Sequence, residues 1–426
     1  MRIGIEAQRI FRRKKHGMDV VALESIRALQ QADKTNEYII FVRPGPDPEC
    51  LRPTPNFRIV AFPGLTYADW EQVRLPRAAR EFGIDLLHCT SNTAPTRLSV
   101  PLVVTVHDVI FMEKGPLAMR AASAYQRLGQ IYRRHYVPIG MSLAQRILTV
   151  SDYEKKCILA RFPEVDLRLE VVPNAVSLRF FDSISLEKRK EVANRYQLPS
   201  RYILFLGNTD PKKNVQNVLE GYAKYTEGSA RPLPLVVADL SQGRISKALQ
   251  RIGRADVANW IVRAGYISPL DTPAVYAGAT VFLYPSLRES FGLPILEAMA
   301  SSTPVITSYC TAMPEVAGDA ALFVNPREPS HIAQMIRLAT EDSEIANAIR
   351  QRGLRRAKMF TWQNTAARLV EVYRSVLAES ESKVGKAQAG RFSSRNVWSS
   401  SKMSAVESLG MLPSGSSERQ QPIGMA

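Results

Sequence analysis

Two carboxylates stand close together in the most informative stretch of the sequence, residues 286 to 300. Glu289 and Glu297 lie on either side of the pair Phe291-Gly292. Glycine allows a backbone to come close to a ligand. The free amides of a helix's first turn, together with the helix dipole, favour an anion such as phosphate. The stretch therefore predicts a phosphate site between two carboxylates.

The elements around this stretch decide where the carboxylates lie. The apolar run at residues 280 to 284 indicates a buried strand, and the helix formers at residues 295 to 300 indicate a helix. Pro294 suits the first turn of that helix. This order puts Glu289 in a loop and Glu297 in the first turns of the helix. The alternative interpretation is one glutamate in a loop and one on a solvated helix face, without function.

A longer sequence pattern favours the functional interpretation. It consists of E-S-F-G-L-P-I-L-E-A-M-A at residues 289 to 300, T-P-V-I-T-S at 303 to 308 and P-E-V-A-G-D-A-A at 314 to 321. The pattern resembles the donor-site signature of the retaining nucleotide-sugar glycosyltransferases of family 4. The resemblance implies an α/β protein of the GT-B fold, in which two Rossmann-like domains have parallel sheets that face an interdomain cleft. The chain departs from the family pattern at Ser301-Ser302, where a small residue and Gly are usual.

A second strand, loop, helix unit carries basic residues. The apolar run at residues 202 to 207 is followed by Asn-Thr-Asp-Pro-Lys-Lys-Asn at 208 to 214 and then by a helical pattern. Lys213 is expected at the helix start, where it can meet a pyrophosphate together with the local amides. The alternative is a solvated basic turn. The loop resembles the family's phosphate loop, but Asn208 stands where many members have Arg, so Lys212 and Lys213 are expected to neutralise the charge alone.

His107 follows the continuous apolar run at residues 101 to 106, which is typical of a buried parallel strand. Ligands of open parallel sheets collect beyond the carboxyl ends of the strands. A single histidine is often structural, but this one, followed by Asp108, resembles the family's donor-sugar histidine.

Near the first strand, residues 12 to 17 form a basic loop in which only Gly17 remains of the glycines usual in the family. That loop is interpreted either as solvated or as a donor or acceptor contact.

The resemblance implies a role for each of these residues. Glu289 and His107 contact the donor sugar and are the candidate catalytic residues. Glu297 binds the nucleotide ribose, while Lys213 and the amides at Gly292 hold the pyrophosphate. The candidate donor-binding residues are Asn208, Lys212, Lys213, Phe291, Gly292, Leu293 and Glu297. The sequence has no Asp-x-Asp pair, so neither a catalytic metal nor a cofactor is expected beside the nucleotide-sugar substrate.

The domain organisation follows from the alternation of strands and helices. Residues 1 to 182 are expected to form the acceptor-side domain and residues 183 to 360 the nucleotide-sugar domain. A helix at residues 361 to 378 is expected to cross back onto the first domain, as in other GT-B folds. Residues 380 to 426 are rich in Ser and poor in apolar residues, which predicts a disordered tail.

The composition restricts the partners and the compartment. The net charge of +16 requires an anionic partner such as a phosphate-rich donor, a membrane surface or a nucleic acid. The excess of Lys and Arg is spread over the chain without a recognition motif, so no nucleic acid is expected. Four separated cysteines, no signal peptide and no long apolar run predict a cytoplasmic protein. The basic helical region at residues 116 to 146 either faces water or contacts the anionic inner face of the cell membrane.

These observations predict a retaining glycosyltransferase. It moves a sugar, with mannose as a candidate, from a nucleotide diphosphate to a glycan or a lipid-linked acceptor in cell-surface polysaccharide biosynthesis. One alternative is a GT-B epimerase or hydrolase of nucleotide sugars, which would convert the donor without an acceptor. A less favoured alternative is a basic nucleic-acid-binding protein, whose binding would fall steeply with salt.

Overall fold

The computed structural model describes residues 1 to 113, 124 to 208 and 210 to 403. Within these ranges the chain forms two parallel sheets with helices around them. By packing, the chain divides into two compact units, Met1–Arg374 and Ser375–Ala426. Both sheets belong to the first unit. None of the described helices is both long enough and apolar enough to cross a membrane.

The first sheet is built from the amino-terminal part of the chain. Its strands are β1 (Arg2–Glu6), β2 (Glu37–Val42), β3 (Phe57–Ala61), β4 (Leu86–Cys89), β5 (Leu102–Thr105), β6 (Arg146–Thr149) and β7 (Leu169–Val171). Their order is β3-β2-β1-β4-β5-β6-β7, and the strands pair in parallel. The order reverses between β1 and β4, and this switch point is where an open parallel sheet usually binds its ligand.

The second sheet has six strands with the same kind of reversal. They are β8 (Ile203–Leu206), β9 (Leu235–Ala238), β10 (Ile261–Gly265), β11 (Val281–Tyr284), β12 (Val305–Ser308) and β13 (Leu322–Val324). Their order is β10-β9-β8-β11-β12-β13, again with parallel pairing. β8 and β11 are therefore neighbours across the switch point. These two strands are the first elements of the two strand, loop, helix units that the sequence predicts.

Fourteen α-helices surround the sheets in the described ranges. They are α1 (Gly17–Ala32), α2 (Tyr67–Asp69), α3 (Leu75–Glu81), α4 (Ala124–Leu143), α5 (Asp152–Leu159), α6 (Leu186–Tyr196), α7 (Val215–Gly228), α8 (Gln242–Arg251), α9 (Thr272–Gly278), α10 (Leu293–Ala300), α11 (Met313–Ala317), α12 (Pro329–Glu341), α13 (Ser343–Ala357) and α14 (Trp362–Met403). A π-helical turn, Trp70–Arg74, joins α2 to α3.

Two of these helices differ in extent from the prediction. The predicted helical region at residues 116 to 146 is α4, and its first residues, 116 to 123, lie outside the described residues. α14 continues to Met403, past residue 378, because the Ala, Glu, Lys, Gln and Arg residues that follow are good helix formers. Residues 404 to 426 of the predicted tail lie outside the described residues.

The chain crosses twice between the two sheet domains. On the outward crossing, the Val176 amide donates to the Phe360 carbonyl (3.2 Å), which lies on the return crossing. On the return crossing, the Thr365 hydroxyl donates to the Pro173 carbonyl (3.0 Å). Further along α14, the Tyr373 hydroxyl lies 2.7 Å from Nδ1 of the buried His88 in β4. The beginning of α14 thus packs on the first sheet.

Candidate active site

Lys213 and Glu289 meet at the switch point of the second sheet. The Lys213 ammonium donates to Oε1 of Glu289 (2.8 Å) and to the hydroxyl of Tyr284 (2.7 Å). Burial alone would raise the pKa of Glu289, but the charges of Lys213 and Lys212 outweigh it and hold that pKa below its usual value. Glu289 is therefore a buried, ionised carboxylate at neutral pH, with a cation beside it.

The loop that carries Lys213 is fixed by short polar side chains. The Asp210 carboxylate accepts from the Lys212 amide (3.1 Å), and Oδ1 of Asn208 accepts from the Asp210 amide (2.9 Å). Asn214 has a φ of +60° and donates through its side-chain amide to the carbonyls of Pro285 (3.0 Å) and Pro326 (2.6 Å). Asn208 thus shapes this loop through its side-chain oxygen. The loop is clamped to the end of β11, so Lys213 has a fixed position.

The start of α10 provides fewer free amides than a helix usually does. Gly292 has a φ of +99°, which favours glycine. Pro294 has no N–H, and the Ile295 amide donates to the Gly292 carbonyl (2.9 Å). Among the described residues, the amides of Gly292 and Leu293 have no backbone or side-chain acceptor. These two amides are the donors that a phosphate could take here.

Phe291 does not offer its ring to a ligand. The side chain is 4 % exposed, and its ring centroid lies 5.9 Å from that of Phe360 in the core. Any contact that Phe291 makes with a donor would therefore run through its backbone.

Glu297 lies one turn into α10 and is partly buried. Its Oε2 accepts from the hydroxyl of Tyr276 in α9 (3.2 Å). Burial raises the pKa of Glu297, and the Tyr276 bond and the charge of Arg179 compensate only in part. Oε1 has no hydrogen-bond donor among the described residues, so this carboxylate can accept from a ligand hydroxyl.

His107 lies just beyond β5 on the first sheet and is 5 % exposed. Its backbone amide donates to Oδ1 of Asn92 (2.7 Å), a residue with a φ of +70°. Its Nε2 lies 2.9 Å from the Thr90 carbonyl, which can only accept, so Nε2 carries the proton. Burial lowers the pKa of His107, and the imidazole is neutral at pH 7. Nδ1 is therefore an acceptor available for a hydroxyl group.

Some of the basic side chains in the loop before α1 contact other residues, and others are exposed to solvent. Lys15 pairs with Asp47 (2.5 Å), and the Lys14 ammonium lies 4.8 Å from the ring centroid of Tyr266 in the second domain. Arg12 and Arg13 are exposed. Gly17 is the first residue of α1, and no atom lies within 4 Å of the position that a Cβ would take. No other candidate residue therefore lies within 4 Å of that position.

A further polar cluster in the first domain was not predicted from the sequence. Glu71, in the π-helical turn, is 1 % exposed and accepts hydrogen bonds from the hydroxyls of Thr93, Tyr132 and Tyr67. Burial raises the pKa of Glu71 to about 7, in spite of these bonds. The nearby charge of Glu6 acts in the same direction. A π-helical turn around a buried carboxylate is a signal that only the structure reveals.

Both halves of the chain match families of known proteins. Residues 15–180 match the family model "Glycosyltransferase Family 4", and residues 188–356 match "Glycosyl transferases group 1". The O-antigen chain mannosyltransferase B of Escherichia coli is 33% identical over 299 residues, which cover 70% of this chain and 76% of the relative. The MMP alpha-(1->4)-mannosyltransferase of Mycolicibacterium hassiacum is 30% identical over 292 residues, 66% of this chain and 67% of the relative.

Solved structures show the same architecture at lower identity. The sucrose-phosphate synthase of Thermosynechococcus elongatus has a TM-score of 0.67 at 18% identity, over 89% of this chain and 99% of that one. The HepE protein of Anabaena in complex with UDP has a TM-score of 0.65 at 15% identity, over 88% of this chain and all (100%) of that one. At these identities the likeness establishes the two-domain fold.

Proposed function

Because the chain belongs to the family 4 glycosyltransferases and has their GT-B fold, we propose that it transfers mannose from a nucleotide diphosphate to a glycan or lipid-linked acceptor with retention of configuration. In this reaction the bond from the anomeric carbon to the diphosphate breaks, and its electron pair stays on the diphosphate. The acceptor hydroxyl oxygen bonds to the same carbon. Its proton ends on the departing diphosphate.

The paired Lys213 and Glu289 are the observation that carries this proposal. A diphosphate that leaves gains negative charge, and a cation with two backbone amides next to it stabilises that charge. Lys213 and the amides of Gly292 and Leu293, three and four residues after its partner Glu289, would provide this combination. The anomeric carbon gains positive charge at the same time, and the ionised Glu289 would stabilise it. The adjacent opposite charges of Lys213 and Glu289 therefore support a reaction that separates charge.

The sugar and the acceptor are proposed from the relatives. Two relatives that share at least 30% identity are named mannosyltransferases, and one of them is an O-antigen enzyme. This supports a role in cell-surface polysaccharide biosynthesis. On this chain, the exposed Arg12 and Arg13 lie in the loop before α1 and would suit an acceptor that carries phosphate.

A donor panel tests the function. The full chain is incubated with GDP-mannose, UDP-glucose and other nucleotide sugars, with and without a lipid-linked glycan acceptor, and the nucleotides are followed by mass spectrometry. We expect consumption of GDP-mannose only when acceptor is present, and an α-linked product by NMR. Lys213→Ala should abolish turnover. An epimerised or hydrolysed donor without acceptor would favour the alternative enzyme class, and a β-linked product would refute retention.

We further propose that no metal takes part, because Lys213, Lys212 and the two amides supply positive charge for the diphosphate. Turnover should then be unchanged in EDTA. Loss of turnover in EDTA that Mg²⁺ or Mn²⁺ restores would refute this part of the proposal, while the transfer itself would stand.

A further inference from the structure

Arg288, which directly precedes Glu289, is a buried cation that reaches into the other domain. Its side chain is 4 % exposed, and its Nη1 forms an ion pair with Glu154 of α5, whose side chain is fully buried. Its Nε and Nη2 donate to Oε1 of Glu113 (3.1 and 3.0 Å). The guanidinium also lies 4.8 Å from the ring centroid of Tyr153. Every one of these partners lies in the first domain.

Ser290, on the other side of Glu289, is also tied to the first domain. Its carbonyl accepts from the hydroxyl of Ser151 (2.7 Å), and that same hydroxyl accepts from the Glu154 amide at the start of α5 (3.1 Å). The Glu289 loop is thus held from the first domain on both sides of the carboxylate.

The second domain also caps α5 directly. The carboxylate of Glu315, in α11, accepts from the backbone amides of Asp152 (2.8 Å) and Tyr153 (3.0 Å). These are amides of the first turn of α5, which lack partners within the helix. Two independent sets of contacts therefore converge on the same helix terminus, next to the Glu289 loop.

The side chain of Glu289 is held by residues of its own domain. Its partners Lys213 and Tyr284 both belong to the second sheet domain. The backbone of Glu289 is held differently, because Nη1 of Arg288 donates to the Glu289 carbonyl (3.1 Å). The carboxylate is therefore held within its own domain. Its backbone is held by Thr311 of that domain, whose hydroxyl accepts from the Glu289 amide (3.3 Å), and through Arg288 by contacts with the first domain.

We propose that Arg288 is a positioning residue that couples the docking of the two domains, through Glu154 and Glu113, to the placement of Glu289. This inference rests on the proposed role of Glu289 in transfer. When α5 is docked, the Arg288 guanidinium is neutralised and the loop is held in place. When the domains separate, Arg288 loses Glu154 and Glu113, and the loop keeps only the anchors within its own domain, at Lys212 and Thr311. The enzyme thus places its sugar-facing carboxylate only in the docked arrangement.

The guanidinium is suited to this role in a way that an ammonium is not. It is planar and presents five N–H groups in a fixed fork, so it can bind Glu154, Glu113 and the Glu289 carbonyl together. Lysine would bring one charge without this geometry. Arg288→Lys should therefore keep the net charge but lose the position of the loop.

The test uses substitutions in the first domain, remote from the donor residues. Glu154→Gln and Glu113→Gln keep the shape of each side chain and replace a carboxylate that pairs with Arg288 by a neutral amide. We expect kcat with GDP-mannose to fall at least tenfold in Glu154→Gln, with donor KM changed less than threefold. Arg288→Lys should show the same split. An unchanged kcat in Glu154→Gln and Glu113→Gln, or a loss confined to KM, would overturn the proposal.

A matched control separates positioning from general stability. Asp33 is a buried carboxylate, 5 % exposed, that accepts from Tyr38 and Asn36 before the amino end of β2. The amino ends of parallel strands lie at the edge opposite the ligand site. Asp33→Asn should lower the melting temperature and leave kcat unchanged. An equal fall of kcat in Asp33→Asn would assign the effect to stability and overturn the proposal.

A second measurement does not depend on transfer. Hydrogen exchange of the amides at residues 286 to 292 is compared in the wild type, Glu154→Gln and Asp33→Asn, each as the full chain. We expect at least tenfold faster exchange in Glu154→Gln alone, although its substitution lies in the other domain. Unchanged exchange would overturn the docking role. Faster exchange in a protein that transfers no sugar would retain the docking role and refute the proposed function instead.

Discussion

The two candidate donor-site carboxylates, Glu289 and Glu297, lie in different electrostatic surroundings, and their variants should fail differently. Glu289 is ionised beside Lys213, whereas burial raises the pKa of Glu297. Glu289→Gln removes a charge that matters most as the sugar becomes positive, so kcat should fall while donor KM does not rise. The freed Lys213 would still bind the diphosphate.

Glu297→Gln should chiefly raise donor KM. A carboxylate that accepts from ribose hydroxyls acts alike in the ground state and the transition state, and such a charged hydrogen bond contributes about 1.5 to 3 kcal/mol. Initial rates over a range of donor concentrations measure both variants, with circular dichroism as the check of folding. If Glu289→Gln changed only KM and Glu297→Gln abolished kcat, the two roles would be reversed.

The buried Glu71 should make the first domain less stable as pH rises. Its pKa is about 7 in the fold, above the usual 4.5, so the native state holds a proton that the unfolded chain has released between these values. Its contribution is therefore complete below pH 4.5 and is lost as pH rises through 7. The shift corresponds to about 3 kcal/mol.

Glu71→Gln should remove most of this dependence. The groups that face Glu71 are Tyr67, Gln72, Thr93 and Tyr132, together with the nearby Glu6. Melting temperatures of wild type and variant at pH 5 and pH 8 measure the effect, and the loss of stability between these pH values should be smaller in the variant. Equal losses in both proteins would show that Glu71 is ionised in the fold.

At the residue scale, the sequence predicted what depends on neighbours in the chain. Lys213 and Glu289 each lie between the strand and the helix of a strand, loop, helix unit, so their position at the edge of the sheet could be expected. Only the structure shows that they contact each other. Arg288 could not be predicted, because its partner Glu154 belongs to another domain. Ser151 and Glu154 have the spacing of a capping box, but only half of one forms, since the Glu154 side chain pairs with Arg288.

Among the elements, α4 has an outward face with mixed character. Leu128 and Ile131 are 66 % and 63 % exposed, and Arg127, Arg134 and His135 are exposed beside them. Arg133 and Arg134, two basic residues of the same helix, both contact Phe111. Arg134 donates to the Phe111 carbonyl (2.9 Å), and the Arg133 guanidinium lies 5.8 Å from the Phe111 ring centroid. The apolar pair is therefore the better probe of membrane contact.

If α4 contacts an anionic membrane, the Leu128→Ser and Ile131→Ser double variant should bind phosphatidylglycerol vesicles at least tenfold more weakly, because burial of each side chain contributes about 1.5 to 3 kcal/mol. The matched control is Leu167→Ser with Leu270→Ser, two leucines that are 97 % and 80 % exposed elsewhere. Vesicle sedimentation measures the binding. Equal binding by both double variants and the wild type would leave α4 as a water-facing helix.

Elements were predictable where burial imposes a continuous pattern. Apolar runs such as residues 202 to 207 predict β8 because both faces of a parallel sheet are covered. β7 (Leu169–Val171) was not predicted, since it is a three-residue edge strand that contains Glu170. The π-helical turn Trp70–Arg74 could not be distinguished from ordinary helix in the sequence, because an added residue per turn leaves no local pattern.

For the whole molecule, the end of the chain should divide into a required and a dispensable part. The unit Met1–Arg374 contains Tyr373, whose hydroxyl bonds to the buried His88. Deletion of residues 383 to 426 should leave the melting temperature unchanged. Tyr373→Phe should lower stability by about 1 to 3 kcal/mol, because it leaves His88 Nδ1 without its partner. A melting temperature that drops by several degrees on deletion would show that the removed segment packs on the fold.

The return crossing also determines the order in which the protein can be completed during synthesis. Pro173 and Thr365, which bond to each other, are 192 positions apart in the chain. All six strands of the second sheet are translated between them. At about 5 to 20 residues per second, the ribosome needs roughly 10 to 40 s for this interval. During that time the first domain has been synthesised but its last helix has not, so His88 has no Tyr373 to bond with.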